Sequence, residues 1–75
     1  MADIKFEIVK HLGQLSEASA KGWRKELNLV SWNGAKAKYD LRDWDEKHEK
    51  MGKGVTLNDD EMKNLKRLLA DLSVD

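Results

Sequence analysis

The chain contains no cysteine, so disulfides and thiolate metal sites are excluded. Its two histidines, His11 and His48, lie far apart and make no metal-ligand spacing. It carries no net charge, because 14 lysines and arginines balance 14 acids. A basic total is the usual mark of a nucleic-acid-binding domain, so its absence counts against that class. Long apolar runs are also missing. The opening MADIKFEIVK has no signal-peptide core, and no segment approaches membrane-spanning length. A soluble, cytoplasmic protein with no membrane partner is therefore expected. At 75 residues the chain is expected to form one domain over 1–75, and a core of that size supplies only ~3–5 kcal/mol unaided. With disulfides excluded, oligomerisation is the expected extra source of stability.

The motifs of catalysis are missing as well. Gly52-Lys53-Gly54 precedes a strand rather than a helix and lacks the spaced glycine of a phosphate-binding loop. No serine stands in a recognisable motif with a histidine and an acid. Asp43 and Asp45 share strand parity with Tyr39, a placement from which a metal is approachable. The glycine-bearing calcium loop and a third clustered ligand are absent, however. Such acids are more often solvated partners of nearby lysines. No enzymatic activity, cofactor or small-molecule substrate is expected.

What is present is regular. Charged residues make up 37% of the chain, a level that suggests disorder, but the apolar pattern and three tryptophans argue for a fold. Ile4, Phe6 and Ile8 alternate with Lys5 and Glu7, the period of a half-buried strand. That strand continues through Val9 and Leu12 towards Leu15, with Gly13 as the expected bulge or bend. The small polar stretch SEASAKG reads as a flexible hairpin connection.

The second strand runs from Trp23 to Trp32. Trp23, Lys25, Leu27 and Leu29 share one parity, and Arg24, Glu26, Asn28, Val30 and Trp32 share the other. Asn33-Gly34 follows as a hairpin signal, since both residues tolerate positive φ. A third strand spans Lys38 to Trp44. Tyr39, Leu41 and Asp43 face one way, and Lys38, Asp40, Arg42 and Trp44 the other. Asp45 to Lys53 reads as a charged loop and Gly54 to Leu57 as a short fourth strand, so strands fill about 4–57.

A helix follows over about 58–72. Asn58 is a good N-cap and Glu61 stands where a capping-box partner belongs. Asp59, Asp60 and Glu61 crowd the positive end of the helix dipole, and Leu57 is placed to staple against Met62. Met62, Leu65, Leu68, Leu69 and Leu72 recur along one face. The expected fold is α+β: a curved four-stranded antiparallel sheet followed by one C-terminal helix, ββββα. One helix leaves part of that sheet uncovered, so a twofold homodimer is expected, with the helix leucines in its core or interface.

The neutral total hides an uneven distribution. Lys21 to Arg42 holds six basic residues and two acids, whereas Asn58 to the end holds five acids and three bases. A basic sheet beside a mildly acidic helix is the pattern of a hidden binding face. Single strands of nucleic acid offer phosphates to lysine and arginine and base faces to aromatic rings. Lys38, Arg42 and Trp44 project from one strand, and Val30 and Trp32 join them from its neighbour. Lys21, Trp23 and Lys25 belong to the first hairpin and its flank, Lys36 to the second turn and Lys53 to the charged loop. Plainer readings stand beside this one. Trp32 covers a hairpin, Trp23 packs with Leu27 and Leu29, alternating lysines form a solvated face, and Arg42 pairs with Glu26 or Asp40. Pattern alone leaves open both nucleic-acid binding and a protein-interaction module using the same sheet or helix face.

The segments YDLRDW and KGVTL, followed by the leucine-bearing helix, resemble the family of the transcriptional coactivator positive cofactor four. With DIKFEIVKHLG and KGWRKELNLVSWNG included, nearly the whole chain is similar to its small bacterial branch, the YdbC proteins. The resemblance implies a homodimer that binds single-stranded DNA along its curved sheets with little sequence preference. RNA offers the same stacking and phosphate contacts. By position, Arg42 matches the family's strand arginine, Trp32 its pre-turn aromatic, and Lys36 and Lys38 the lysines after that turn. Lys53 matches the lysine of the glycine turn, and Trp44 one of two neighbouring aromatics. The serine- and lysine-rich N-terminal region of the eukaryotic coactivators is absent from the sequence, so their phosphorylation control and activator contacts are not expected.

Overall fold

Four strands and a helix follow one another as β1 (Phe6–Gln14), β2 (Arg24–Trp32), β3 (Lys38–Trp44), β4 (Met51–Leu57) and α1 (Asp59–Ala70) in the computed structural model. It describes residues 5–74; Ile4, expected at the start of the first strand, lies outside them. The strands form one curved antiparallel sheet in the order β1-β2-β3-β4. No helix among the described residues is long and apolar enough to cross a membrane.

Register decides which side chains share a face, since residues directly opposite in an antiparallel pair point the same way. Between β2 and β3 the pairing is regular: Arg24 faces Trp44, Glu26 faces Arg42, Asn28 faces Asp40 and Val30 faces Lys38. We call this the inner face. The outer face carries Lys25, Leu27, Leu29, Tyr39, Leu41 and Asp43. Strand β1 is irregular. Its register shifts between Ile8 and Lys10 and again between His11 and Gly13, so the extra residues are Val9 and Leu12 rather than Gly13. A bulge puts two residues opposite one and resets the alternation. Phe6, Ile8, His11 and Gln14 consequently share the inner face, opposite Trp32, Val30, Asn28 and Glu26.

Strand β4 begins at Met51 rather than Gly54. It pairs with β3 as far as Trp44, with an irregularity between Arg42 and Trp44, so Lys53 belongs to a strand and not to a loop. Gly54 allows this pairing: a Cβ there would collide with the Arg42 Cβ and the Leu41 carbonyl oxygen. Gly54→Ala is therefore expected to destabilise the fold by ~1–3 kcal/mol through overpacking. Gly13, whose Cβ would meet nothing within 4 Å, supplies the control. Urea unfolding of the two alanine variants checks the contrast.

The connections follow local chemistry. Asn33 and Gly34 both adopt positive φ, 52° and 77°, as the hairpin signal requires. In the first connection Ser19 Oγ accepts from the Lys21 and Trp23 amides and Ser16 Oγ from the Lys25 amide. In the β3–β4 turn, Asp45 Oδ1 accepts from the Glu49 and Lys50 amides, both at 2.8 Å. The Lys50 amide, with help from that of Glu49, holds the Asp45 carboxyl below its ordinary range.

The buried core lies on the inner face. Val30 and Trp44 are 0% exposed. The Phe6 ring lies 5.1 Å from Trp44 and 6.0 Å from Trp32, and the His48 ring 5.7 Å from Trp44. This corrects the expectation that Trp44 stands open for binding, because Phe6 and the β3–β4 turn carrying His48 lie against its ring; Val30 is buried as well.

Helix α1 starts as expected. Asn58 Oδ1 accepts from the Glu61 amide at 2.8 Å, and Glu61 Oε1 accepts from the Asn58 amide at 2.9 Å. It ends at Ala70, so Leu72 lies beyond it. Of the strands, the helix touches only β3 and β4, and it buries no residue. Met62 and Leu65 are half-buried, while Leu68 and Leu69 are exposed.

Candidate nucleic-acid interface

Trp32 closes β2, and its ring is braced on two sides. Phe6 packs against it, and the Arg42 guanidinium carbon sits 4.7 Å from the ring centroid, a cation–π distance. The ring is half-buried, leaving part of it open. Its Nε1 is buried and finds no hydrogen-bond acceptor among the described residues. The part of an indole left exposed is a surface on which a base can stack.

Arg42 itself is committed inward. Its Nε donates to Asp40 Oδ1 at 2.6 Å and its Nη2 to Asp40 Oδ2 at 2.9 Å. Nη1 has two longer contacts, with Met51 Sδ at 3.5 Å and the Gly52 carbonyl at 3.4 Å. Thr56 Oγ1 adds a donor to Asp40. Of the two partners open in the sequence, Asp40 on the same strand is chosen over Glu26 on the next. The fork that would grip a phosphate is occupied, and Arg42 acts here as a positioning residue for Trp32 and the counter-ion of a buried carboxylate.

The remaining candidates divide between the faces. Lys38 is exposed and in register with Val30, on the inner face near Trp32. Trp44 shares that face but is fully buried, so no base reaches its ring in this arrangement. Lys25 lies on the outer face, 3.9 Å from Asp43. Trp23 packs on the same side, where its ring approaches Gly52 beside Asp43. Lys36 pairs with Asp59 at 3.6 Å, with both side chains mostly exposed, a geometry worth at most ~1 kcal/mol. Lys21 in the first connection and Lys53 on β4 are exposed. The sheet thus unites Trp32, Lys38 and Arg42 and sets Trp23 and Lys25 behind them. Asp43 and Asp45, weighed above as metal approaches, instead hold Lys25 and the β3–β4 turn.

One inner-face group was not singled out from the sequence. Ile8, His11, Gln14, Arg24, Glu26, Asn28 and His48 line a recess of about 380 Å³. The parity of Arg24 with Trp32 already pointed there. The histidines gave no such signal, because the β1 bulges and a turn at His48 (φ 57°) bring them in. His48 Nε2 lies 2.9 and 3.0 Å from the two Glu26 oxygens, Asn28 Nδ2 donates to Oε1 at 3.1 Å, and His11 Nδ1 meets Asn28 Oδ1 at 2.7 Å. Burial pushes the Glu26 carboxyl up. Hydrogen bonds from Asn28 and His48, with the charges of His48 and His11, more than offset this and leave it below its ordinary value of 4.5. A carboxyl lowered in the folded state contributes stability that is complete above the unfolded value and is lost as pH falls through the folded one. The thermal midpoint should therefore drop on acidification below about pH 4.5, and Glu26→Gln should flatten that acid limb. An identical limb in the variant would assign it to other groups.

Comparison with known sequences adds two findings. Residues 19–68 match the family model described as Transcriptional Coactivator p15 (PC4). An uncharacterized protein of Treponema pallidum (strain Nichols) is 45% identical over 73 residues, spanning 97% of this chain and 85% of that relative.

Proposed function

The chain belongs to the Transcriptional Coactivator p15 (PC4) family, a DNA-binding family, and from that premise we propose that it binds single-stranded DNA with little sequence preference on the inner face of its sheet. The observation that carries this reading is the braced, half-open Trp32 ring with the exposed ammonium of Lys38 on the same face. Trp32 stacks a base, Lys38 meets a backbone phosphate, and Lys21, Lys36 and Lys53 add exposed charge around the sheet. Neither contact reads a base edge, so base order matters little. The protein acts as a binding module rather than an enzyme, in transcription, replication or repair, and RNA is a second strand chemistry the same contacts accept.

The working unit is a homodimer. Leu68, Leu69 and Leu72 are 69%, 53% and 57% exposed, and Val55 on β4 is 49% exposed. This is more apolar surface than so small a chain leaves uncovered without cost, and a second copy covers it. Sedimentation should give twice the chain mass, and Leu68→Asp should shift it towards the monomer.

Titration of oligo-dT and a mixed-sequence oligonucleotide at two salt concentrations, read by tryptophan emission, tests the binding mode. Affinity should fall with salt by a log–log slope of ~−0.7 per phosphate neutralised. Lys38→Ala should weaken both oligonucleotides alike and make the slope shallower by ~0.7. Strong dependence on base order, or a slope indifferent to Lys38, would contradict the proposal.

A further inference from the structure

Two buried carboxylates lie on the inner face, and they are neutralised differently. Asp40 has the permanent charge of Arg42. Glu26, 3% exposed, has among the described residues only Asn28 and two imidazoles, His48 at 2.9 Å and His11 at 3.6 Å. Arg42 stands opposite Glu26 in register but turns its guanidinium to Asp40. Arg24 lines the same recess, where its Nη1 donates to Gln14 Oε1 at 3.4 Å. Asp45 faces His48 from the turn.

Hydrogen-bond logic fixes the protons. An ionised carboxylate only accepts, so Asn28 Nδ2 and His48 Nε2 donate to Glu26. Asn28 Oδ1 then accepts, and His11 Nδ1 carries the hydrogen. This leaves His11 Nε2 and His48 Nδ1 as acceptors in the neutral rings and as charged donors in the protonated ones. The side chains of His11 and His48 are 52% and 36% exposed. Asn28 is four residues along β2 from Trp32, ~13 Å at ~3.3 Å per residue, within reach of the strand stacked there.

We propose that the His11–Asn28–Glu26–His48 network is a second, proton-controlled contact for the nucleic-acid backbone, taking a phosphodiester beside Arg24 when its imidazoles are protonated. It rests on the DNA-binding reading above. His11 lies outside the stretch matched by the family model, whereas Arg24, Glu26, Asn28 and His48 lie inside it. Histidine is the side chain that changes charge between ~pH 5 and ~pH 8. On protonation the free ring nitrogens turn from repelling phosphate oxygens to binding them.

The test is oligo-dT affinity of the full chain at about pH 5.5 and about pH 8, each at two salt concentrations. Neither thymine nor the phosphodiester titrates in that range, so the proton linkage belongs to the protein. Affinity should be about tenfold tighter at the lower pH, with a salt slope steeper by ~1.4 for two added contacts. His11→Gln with His48→Gln keeps amide donors for Asn28 and Glu26, and the pair should abolish the pH dependence. Equal affinity and slope at both pH values overturns the proposal and leaves the DNA-binding reading standing. So does a pH dependence that survives in the double variant. Absence of binding at either pH overturns the DNA-binding reading itself. Should the double variant fail to fold, the wild-type slopes at the two pH values decide.

Discussion

Arg42→Ala is expected to destabilise the protein by about 3–5 kcal/mol, the cost of leaving a buried carboxylate without its counter-ion. Asp40 is 0% exposed, and Arg42 supplies two of its hydrogen bonds, leaving Thr56 as its side-chain partner among the described residues. Domain stabilities run to only ~5–15 kcal/mol, and a chain of 75 residues sits at the low end, so much of the variant should be unfolded near physiological temperature. Removing both charges is gentler than removing one: Asp40→Leu with Arg42→Met should lie closer to wild type than Arg42→Ala. Arg42→Lys should rescue only in part, because an ammonium cannot reproduce the two-pronged bond or lie flat on Trp32. Urea unfolding of the three variants separates these roles. An Arg42→Ala protein within ~0.5 kcal/mol of wild type that has lost DNA affinity would make Arg42 a free phosphate ligand instead.

Trp32→Ala should reduce oligo-dT affinity by ~1–3 kcal/mol, about 5- to 150-fold, the usual worth of one stacked base. The loss should be the same for other base sequences. Trp32→Phe retains a π face and should recover most of the affinity. Trp44→Phe makes the opposite pattern. It alters a ring packed between Phe6 and His48, so it should lower stability and leave affinity nearly unchanged. Fluorescence anisotropy of a labelled oligonucleotide, with unfolding curves for each variant, distinguishes the two tryptophans. Loss of affinity on changing Trp44 but not Trp32 would reverse their assignment.

Much of the fold was legible because it is locally encoded. The Asn58–Glu61 capping box, the positive-φ Asn33-Gly34 turn and the alternation of β2 and β3 all stand in the structure as read. What escaped depends on contacts between distant residues. Strand β1 spaces its inner-face residues by three after Ile8, because Val9 and Leu12 bulge out, and no count along the sequence gives that. The burial of Trp44 comes from Phe6 and from the turn carrying His48. Strand β4 extends back to Met51 because Gly54 lets the backbones approach, which a charged composition conceals. The binding candidates divide between two faces for a plainer reason. Parity already placed Trp23 and Lys25 opposite Trp32, but composition grouped them together.

The placement of DNA on the inner face is tested most directly by the three indole N–H resonances of isotope-labelled protein during an oligo-dT titration at low salt. The Trp32 signal, from a buried donor without an acceptor at the edge of the proposed platform, should move progressively and saturate. The Trp23 signal, on the outer face, should stay in place, and that of Trp44, enclosed in the core, should move little. Movement of Trp23 with a stationary Trp32 would contradict this placement, and no movement of any of the three would contradict binding through the sheet at all.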